Sequence, residues 1–333
     1  MPLKKIWIAV LFPLVLSCKG SGPASLSETS LGGTAIGTTY TIKYLDSEKR
    51  SFEKDIDSLI ASVNASLSTY VPGSAISRIN RGDTTVVVDA YFKEVFQKSK
   101  QFYRETQGFF DPTVGPLVNA WGFGPNMSNT PPDASEIRQL LTLVGFDKVQ
   151  LYKDRVQKQF PEIYLDFNAI GKGYLIDVIG RMFEQHQIEH YMIEIGGEIR
   201  ARGLNKQQKV WRIAIENPHP DGSRSFATVL PLADASMATS GNYRKYREDE
   251  QGRKYVHTIH PMTGHARPSN LLSVSVIAHS DCADVDAYAT AFMAMGLEAT
   301  RTFLAAHPEL KAFLIYTDAA GNLATYHSEN LMD

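Results

Sequence analysis

The second half of the chain limits the fold more than any other stretch. Strand-like runs lie near 190–195, 199–203, 211–216, 226–232 and 255–260, across 271–278, and near 311–317 and 322–326. Helical patterns interrupt them at about 172–186, 283–295 and 298–306. Many of these runs are too close together for a helical crossover, so they pair as hairpins. That argues for an α+β fold of mixed and antiparallel sheets with packed helices, against a doubly wound parallel sheet.

The first half adds a strand over 34–45, rich in Thr, Ile and Tyr. Phe52, Ile56, Leu59, Ile60, Val63 and Leu67 then recur at helical spacing, with Ser51 placed to cap that helix. A β-branched run at 84–88 precedes Asp89, which is placed to cap a second helix through about residue 106. Residues 108–130 carry many Gly, Pro and Asn and predict a long loop, a feature that is usually functional in a compact domain. Asp133 and Glu136 form a capping-box pattern for a helix to about 144. A strand over 163–167 leads into a Gly-rich turn. No linker-like segment divides 31–333, which is expected to be one unit with two lobes.

At 333 residues and a net charge of −2, the chain lacks the basic bias of a nucleic-acid binder. Its N-terminus is more telling. Lys4 and Lys5 precede an apolar run over 6–16 that is short for a membrane span and suits a signal peptide. The run ends in Leu14-Val15-Leu16-Ser17-Cys18, which resembles a bacterial lipobox. The resemblance implies removal of a signal peptide over 1–17, lipidation of Cys18, and a Ser- and Gly-rich flexible tether over 18–30. The expected location is the exported, periplasmic side of a bacterial membrane. Cys282 is the other of the two cysteines and is expected to be a packing residue.

Four segments carry chemistry. Asp286 and Thr290 stand four apart, on one face of the predicted helix, and offer two hard oxygens to a cation such as Mg²⁺. The same acids, with Asp281 and Asp284, would also simply favour a helix N-terminus. Asp166-Phe167-Asn168-Ala169-Ile170-Gly171-Lys172-Gly173-Tyr174 is a strand-to-helix turn suited to an anion, although it is neither a Walker A loop nor a Rossmann fingerprint. His257-Thr258-Ile259-His260-Pro261-Met262-Thr263-Gly264 places a histidine on a predicted strand before a tight turn; such a residue is a proton acceptor or a structural histidine. Asp111-Pro112-Thr113-Val114-Gly115 and Trp121-Gly122-Phe123-Gly124 put glycines and aromatics in the long loop, to wrap a planar ring or to pin the loop.

Taken in order, these segments resemble the ApbE family of FAD:protein FMN transferases. Ser68-Thr69-Tyr70, Ser77-Arg78-Ile79-Asn80, Ile195-Gly196-Gly197-Glu198-Ile199 and Thr239-Ser240-Gly241-Asn242-Tyr243 extend the match over nearly all of 31–333. The most specific part is His257…Pro261-x-Thr263-Gly264 followed by Asp286…Thr290. The resemblance implies a T-fold-like α+β architecture with FAD between lobes. It implies Mg²⁺ held by Asp286, Thr290 and the backbone oxygen of Ala169. It places Tyr70, Phe109, Phe110, Asp111, Asp166, Lys172, Ser240, Tyr243 and Ile259 at FAD, and His257 as general base. His260 departs from the pattern, which carries Asp there, and no role is transferred to it.

The implied reaction moves FMN from FAD onto a Thr or Ser hydroxyl of a partner protein, forming a phosphodiester and releasing AMP. The implied acceptor is a flavoprotein subunit of a membrane redox complex. Two alternatives share these motifs: FAD pyrophosphatase activity yielding FMN and AMP, and a non-catalytic FAD-binding lipoprotein.

Overall fold

The computed structural model describes residues 26–126, 128, 130–218, 225–242, 246–248, 254–266 and 269–331. Cys18 and Tyr243, both singled out from the sequence, lie outside the described residues.

The chain opens with a hairpin, β1 (Ser27–Ala35) and β2 (Thr38–Asp46). The single strand expected over 34–45 is thus two strands. Ile36 (φ 41°) and Gly37 (φ 79°) make the two-residue turn between them, and both have the positive φ that a tight hairpin requires. β1 also takes in Ser27 to Ser30, the end of the expected tether. Four helices follow: α1 (Glu53–Leu67), α2 (Ala75–Asn80), α3 (Ala90–Glu105) and α4 (Gly115–Ala120). The N-cap of α1 is Phe52, whose buried ring anchors the helix, so Ser51 does not have the capping role predicted for it. Asp89 caps α3 as expected, accepting from the Phe92 amide. The long loop contains α4 and is more ordered than its composition suggests. Asp133 caps α5 (Ala134–Leu141), accepting from Ser135 and Glu136.

A small hairpin, β3 (Val149–Tyr152) and β4 (Arg155–Lys158), precedes α6 (Asn168–Gln185). Residues 163–167 belong to no strand. Ile163, Leu165 and Phe167 alternate inward as in a strand, but the backbone of Leu165 is paired by a side chain: Asn80 both donates to its carbonyl and accepts from its amide, each at 2.8 Å. Then come β5 (Tyr191–Ile195), β6 (Glu198–Arg202), β7 (Trp211–Glu216), β8 (Phe226–Leu232), β9 (Ala235–Gly241), β10 (Tyr246–Glu248), β11 (Lys254–Val256) and β12 (Leu271–Ala278). The chain ends with α7 (Cys282–Met295), α8 (Leu297–Ala306), β13 (Lys311–Thr317) and β14 (Leu323–His327).

Eight strands form one sheet in the order β1-β2-β5-β6-β9-β12-β13-β14, and every neighbouring pair is antiparallel. The α+β expectation is met. Alternation along each strand sends side chains to two different cores. Val274 and Val276 of β12, and Ala312 and Leu314 of β13, join the large cluster shared with α1, α3, α6 and α7. Ile277, Phe313 and Ile315 face the other way, into a second cluster with Trp211, Ile213, Leu230 and Leu232 of the β7–β8 hairpin. A third, smaller cluster joins Leu117, Trp121, Ile137, Ile259 and Ala266.

Candidate active site

Helices α6 and α7 make the floor of the site. Asp286, 2% exposed, accepts a 3.0 Å hydrogen bond on Oδ2 from the amide of Gly173. In a regular α-helix that amide would serve the carbonyl of Ala169. One turn beyond Asp286, the Thr290 hydroxyl is 3.4 Å from Ser240 Oγ on β9. Ala169, in the first turn of α6, lines the same cleft as Asp286 and Thr290. Burial pushes the Asp286 carboxyl upward and the charge of Lys172 pulls it down. Among the described residues no three His, Cys, Asp or Glu side chains gather as a metal cluster. A cation here would have one carboxylate and several neutral oxygens. Mg²⁺ accepts such a set, because it keeps waters and shares itself with substrate phosphates.

Lys172 leaves α6 beside this floor. Its ammonium is 2.5 Å from Oε1 of Glu198 on β6. Glu198 is 1% exposed, and its Oε2 has no hydrogen-bond partner among the described residues. Burial works against the Lys172 charge, but Glu198 and then Asp286 hold it above its ordinary value. Burial likewise raises Glu198, and Lys172 opposes it. Sequence reasoning gave Glu198 no role of its own. Its only signal was its place after Gly196-Gly197, and its meaning comes from facing α6 across the sheet.

The turn before α6 is tied on both sides. The Asp166 carboxylate accepts from the Asn168 amide at 2.8 Å, and the Asp166 amide donates to the Pro112 carbonyl at 2.8 Å. Asp111 Oδ1 accepts from the amide (2.8 Å) and hydroxyl (2.6 Å) of Thr113. Burial pushes Asp111 up to about 6, against the pull of those two bonds. Phe110 is buried against Phe102, with ring centroids 6.1 Å apart, and its neighbour Phe109 meets the edge of His260 at 5.3 Å.

His257 follows the last residue of β11 and so lies off the strand on which it was expected. Its half-buried ring is edge-on to Phe123, 6.4 Å between centroids. The turn after it is fixed to the aromatic loop by Trp121, whose Nε1 donates to the Gly264 carbonyl at 2.7 Å. Thr258 donates to Asn242 Oδ1 at 2.9 Å, which links the histidine segment to the end of β9.

These elements border one cleft of about 1350 Å³. Tyr70, Phe109, Phe110, Asp111, Asp166, Ala169, Lys172, Ser240, His257, Ile259, Asp286 and Thr290 all line it. Each described residue selected from the sequence is therefore in one place. Tyr70 is 61% exposed and stands at the lip. His260 is not part of the lining; its Nδ1 is buried without a hydrogen-bond partner among the described residues.

The ApbE family model matches residues 36–314. A FAD:protein FMN transferase of Vibrio cholerae is 36% identical over 299 residues, 88% of each chain. One of Haemophilus influenzae is 39% identical over 264 residues, 75% of each chain. The solved structure of the flavin transferase ApbE from Vibrio cholerae superposes with a TM-score of 0.82 at 33% identity, covering 92% of this chain and 98% of that one. Fold, ordered motifs and relatives lead to one conclusion: this chain is a member of the ApbE family.

Proposed function

We propose that this chain is an FAD:protein FMN transferase that moves FMN from FAD to a Thr or Ser hydroxyl of a target protein. The observation that carries this reading is the convergence of His257, Lys172 and the Asp286–Thr290 oxygens on one cleft large enough for a dinucleotide, with the buried Glu198 paired to Lys172. Asp286, Thr290 and the Ala169 carbonyl would hold Mg²⁺, and all three are oxygen donors of the kind it takes. Bound there, Mg²⁺ supplies positive charge beside the pyrophosphate.

The chain's own residues account for the rest. Phe109 and Tyr70 present aromatic surface to the flavin nucleotide, and Lys172 brings a fixed cation to its phosphates. His257 accepts the proton of the acceptor hydroxyl, which is a weak nucleophile until it loses that proton. The hydroxyl oxygen bonds to the FMN phosphorus, the bond from that phosphorus to the oxygen of the AMP phosphate breaks, and AMP leaves with the electron pair. Positioning and electrostatics dominate such phosphoryl transfers.

Cys18 is proposed as the site of lipid attachment on the exported face of the membrane, on the strength of the apolar run ending in Ser17-Cys18. The proposed acceptor is a subunit of a membrane redox complex. The test incubates the protein with FAD, Mg²⁺ and a Thr-bearing acceptor protein, and separates the products. Fluorescent acceptor plus stoichiometric AMP is expected. Free FMN with AMP would make the chain a pyrophosphatase, and intact FAD would make it a carrier.

A further inference from the structure

We propose that Asp177, which lies outside the cleft, is a positioning residue that sets the register of α7 on α6 and thereby brings Asp286 and Thr290 level with Ala169. The inference rests on reading those three residues as the Mg²⁺ site.

The two helices run antiparallel along one contact line. Ala169, Gly173 and Asp177 are spaced by four on α6 and share a face. Cys282, Asp286 and Thr290 do the same on α7. Asp177 meets residues 282 and 283, and Gly173 meets 282 and 286. One more step of four along each helix brings Ala169 to the Asp286–Thr290 turn, and all three line the cleft.

Asp177 makes the firmest of these contacts. It is fully buried. Its Oδ1 accepts from the Cys282 amide at 2.8 Å and its Oδ2 from the Ala283 amide at 2.8 Å. Those amides are among the four that a helix start leaves without a partner in its own ladder. The residue at the α7 N-cap position is Asp281, but its carboxylate turns outward to Lys98 (3.0 Å), Arg181 (2.9 Å) and Arg200 (3.1 Å). A side chain from another helix thus caps α7 with both carboxylate oxygens. Arg200 of β6, 2.6 Å from Asp177 Oδ1, fixes the orientation of that carboxylate against the sheet.

The consequence for the site is geometric. Mg²⁺ demands near-octahedral oxygens at about 2.0–2.1 Å, so a shift of α7 by a fraction of an ångström separates one ligand from the others. Residues that orient ligands without touching the metal typically change affinity by about 10–100-fold.

The experiment measures Mn²⁺ affinity of the protein–FAD complex from the free-ion paramagnetic resonance signal, with Mg²⁺ as competitor. Asp177→Asn keeps the size of the side chain but leaves one acceptor oxygen for two amides. It is expected to weaken Mn²⁺ and Mg²⁺ binding about 10–100-fold while FAD affinity without metal stays within about 3-fold. Glu184→Gln is the control: Glu184 contacts Arg200, Arg202 and Tyr191 but no part of α7. It removes a charge from the same network and should leave metal affinity unchanged. Asp177→Glu, which keeps the charge and displaces the cap by a methylene, should weaken metal binding as well and serves if the asparagine variant does not fold. Wild-type metal affinity in a folded Asp177 variant, beside a clear loss in Asp286→Ala, would overturn the positioning role alone. Metal affinity untouched by Asp286→Ala would remove the metal-site reading, and this inference with it.

Discussion

At the scale of single residues, two side chains separate chemistry from stability. His257 lines the cleft with its ring edge-on to Phe123, and it is not a member of any of the three hydrophobic clusters. His257→Ala should hold FAD within a few-fold of the wild-type affinity and lower transfer by roughly 10²–10⁴, the usual worth of a general base. Wild-type transfer should also decline on the acid side, because a protonated imidazole accepts no proton. FAD fluorescence and acceptor labelling on one preparation check both, and near-normal transfer by the folded variant would remove His257 as base. Asp46 is the opposite case, distant in role and purely structural. It accepts from the Arg50 amide and guanidinium at the end of β2, and Arg50 holds its carboxyl down near 2, against an ordinary 3.8. A lowered acid stabilises the fold above the unfolded value. Its contribution is complete above about pH 5 and disappears as pH falls through 2. Asp46→Asn should therefore cost about 1 kcal/mol at pH 7, once solvent screening on the Arg50 side is allowed for. It should cost nothing near pH 1.5; urea melts across pH decide it.

At the scale of elements, the contact between α6 and α7 depends on one missing side chain. A Cβ on Gly173 would lie 2.3 Å from the Cys282 carbonyl oxygen and 2.7 Å from the Ala283 amide, both backbone atoms that cannot turn away. Gly171, two residues earlier in the same helix, has nothing within 4 Å of that position. Gly173→Ala is expected to destabilise by about 1–3 kcal/mol through overpacking. Gly171→Ala should gain up to about 1 kcal/mol from helix propensity alone. Equal melting temperatures for the two variants would show that the close approach is unimportant. The same elements show what could be read before the structure. Helices with capping acids were legible because Asp89 and Asp133 act on their own next turn. β9 was not: apart from Met237, Ala235–Gly241 is small and polar, with Thr239 its one β-branched residue, yet it occupies the middle of the sheet because β6 and β12 pair with it on both sides. The cleft residues were legible because they sit in ordered local motifs. Glu198 and Asp177 were not, because each faces α6 or α7 only after the sheet is assembled.

At the scale of the molecule, the β1–β2 hairpin sets the distance between the proposed anchor and the site. β1 is an edge strand of the eight-stranded sheet, and the turn at its far end, 36–37, lines the cleft together with the start of β2. Nine residues of strand span about 30 Å. The nine chain steps from Cys18 to Ser27 can reach at most about another 30 Å. A lipid on Cys18 would therefore keep that part of the cleft within about 60 Å of the bilayer surface, where the proposed membrane acceptor would present its hydroxyl. Confining enzyme and acceptor to one surface raises their effective concentration without any new contact. The anchor should then matter for the acceptor and not for the chemistry. The lipidated protein and Cys18→Ser should transfer FMN to a soluble acceptor fragment at rates within about 2-fold. On vesicles that contain the intact acceptor, Cys18→Ser should be slower by on the order of 10²-fold, a gap that closes as its bulk concentration is raised toward the millimolar range. Equal rates on vesicles at low enzyme concentration, or a mass spectrum of the membrane fraction with no lipid on Cys18, would refute the anchored reading and leave the cleft chemistry standing.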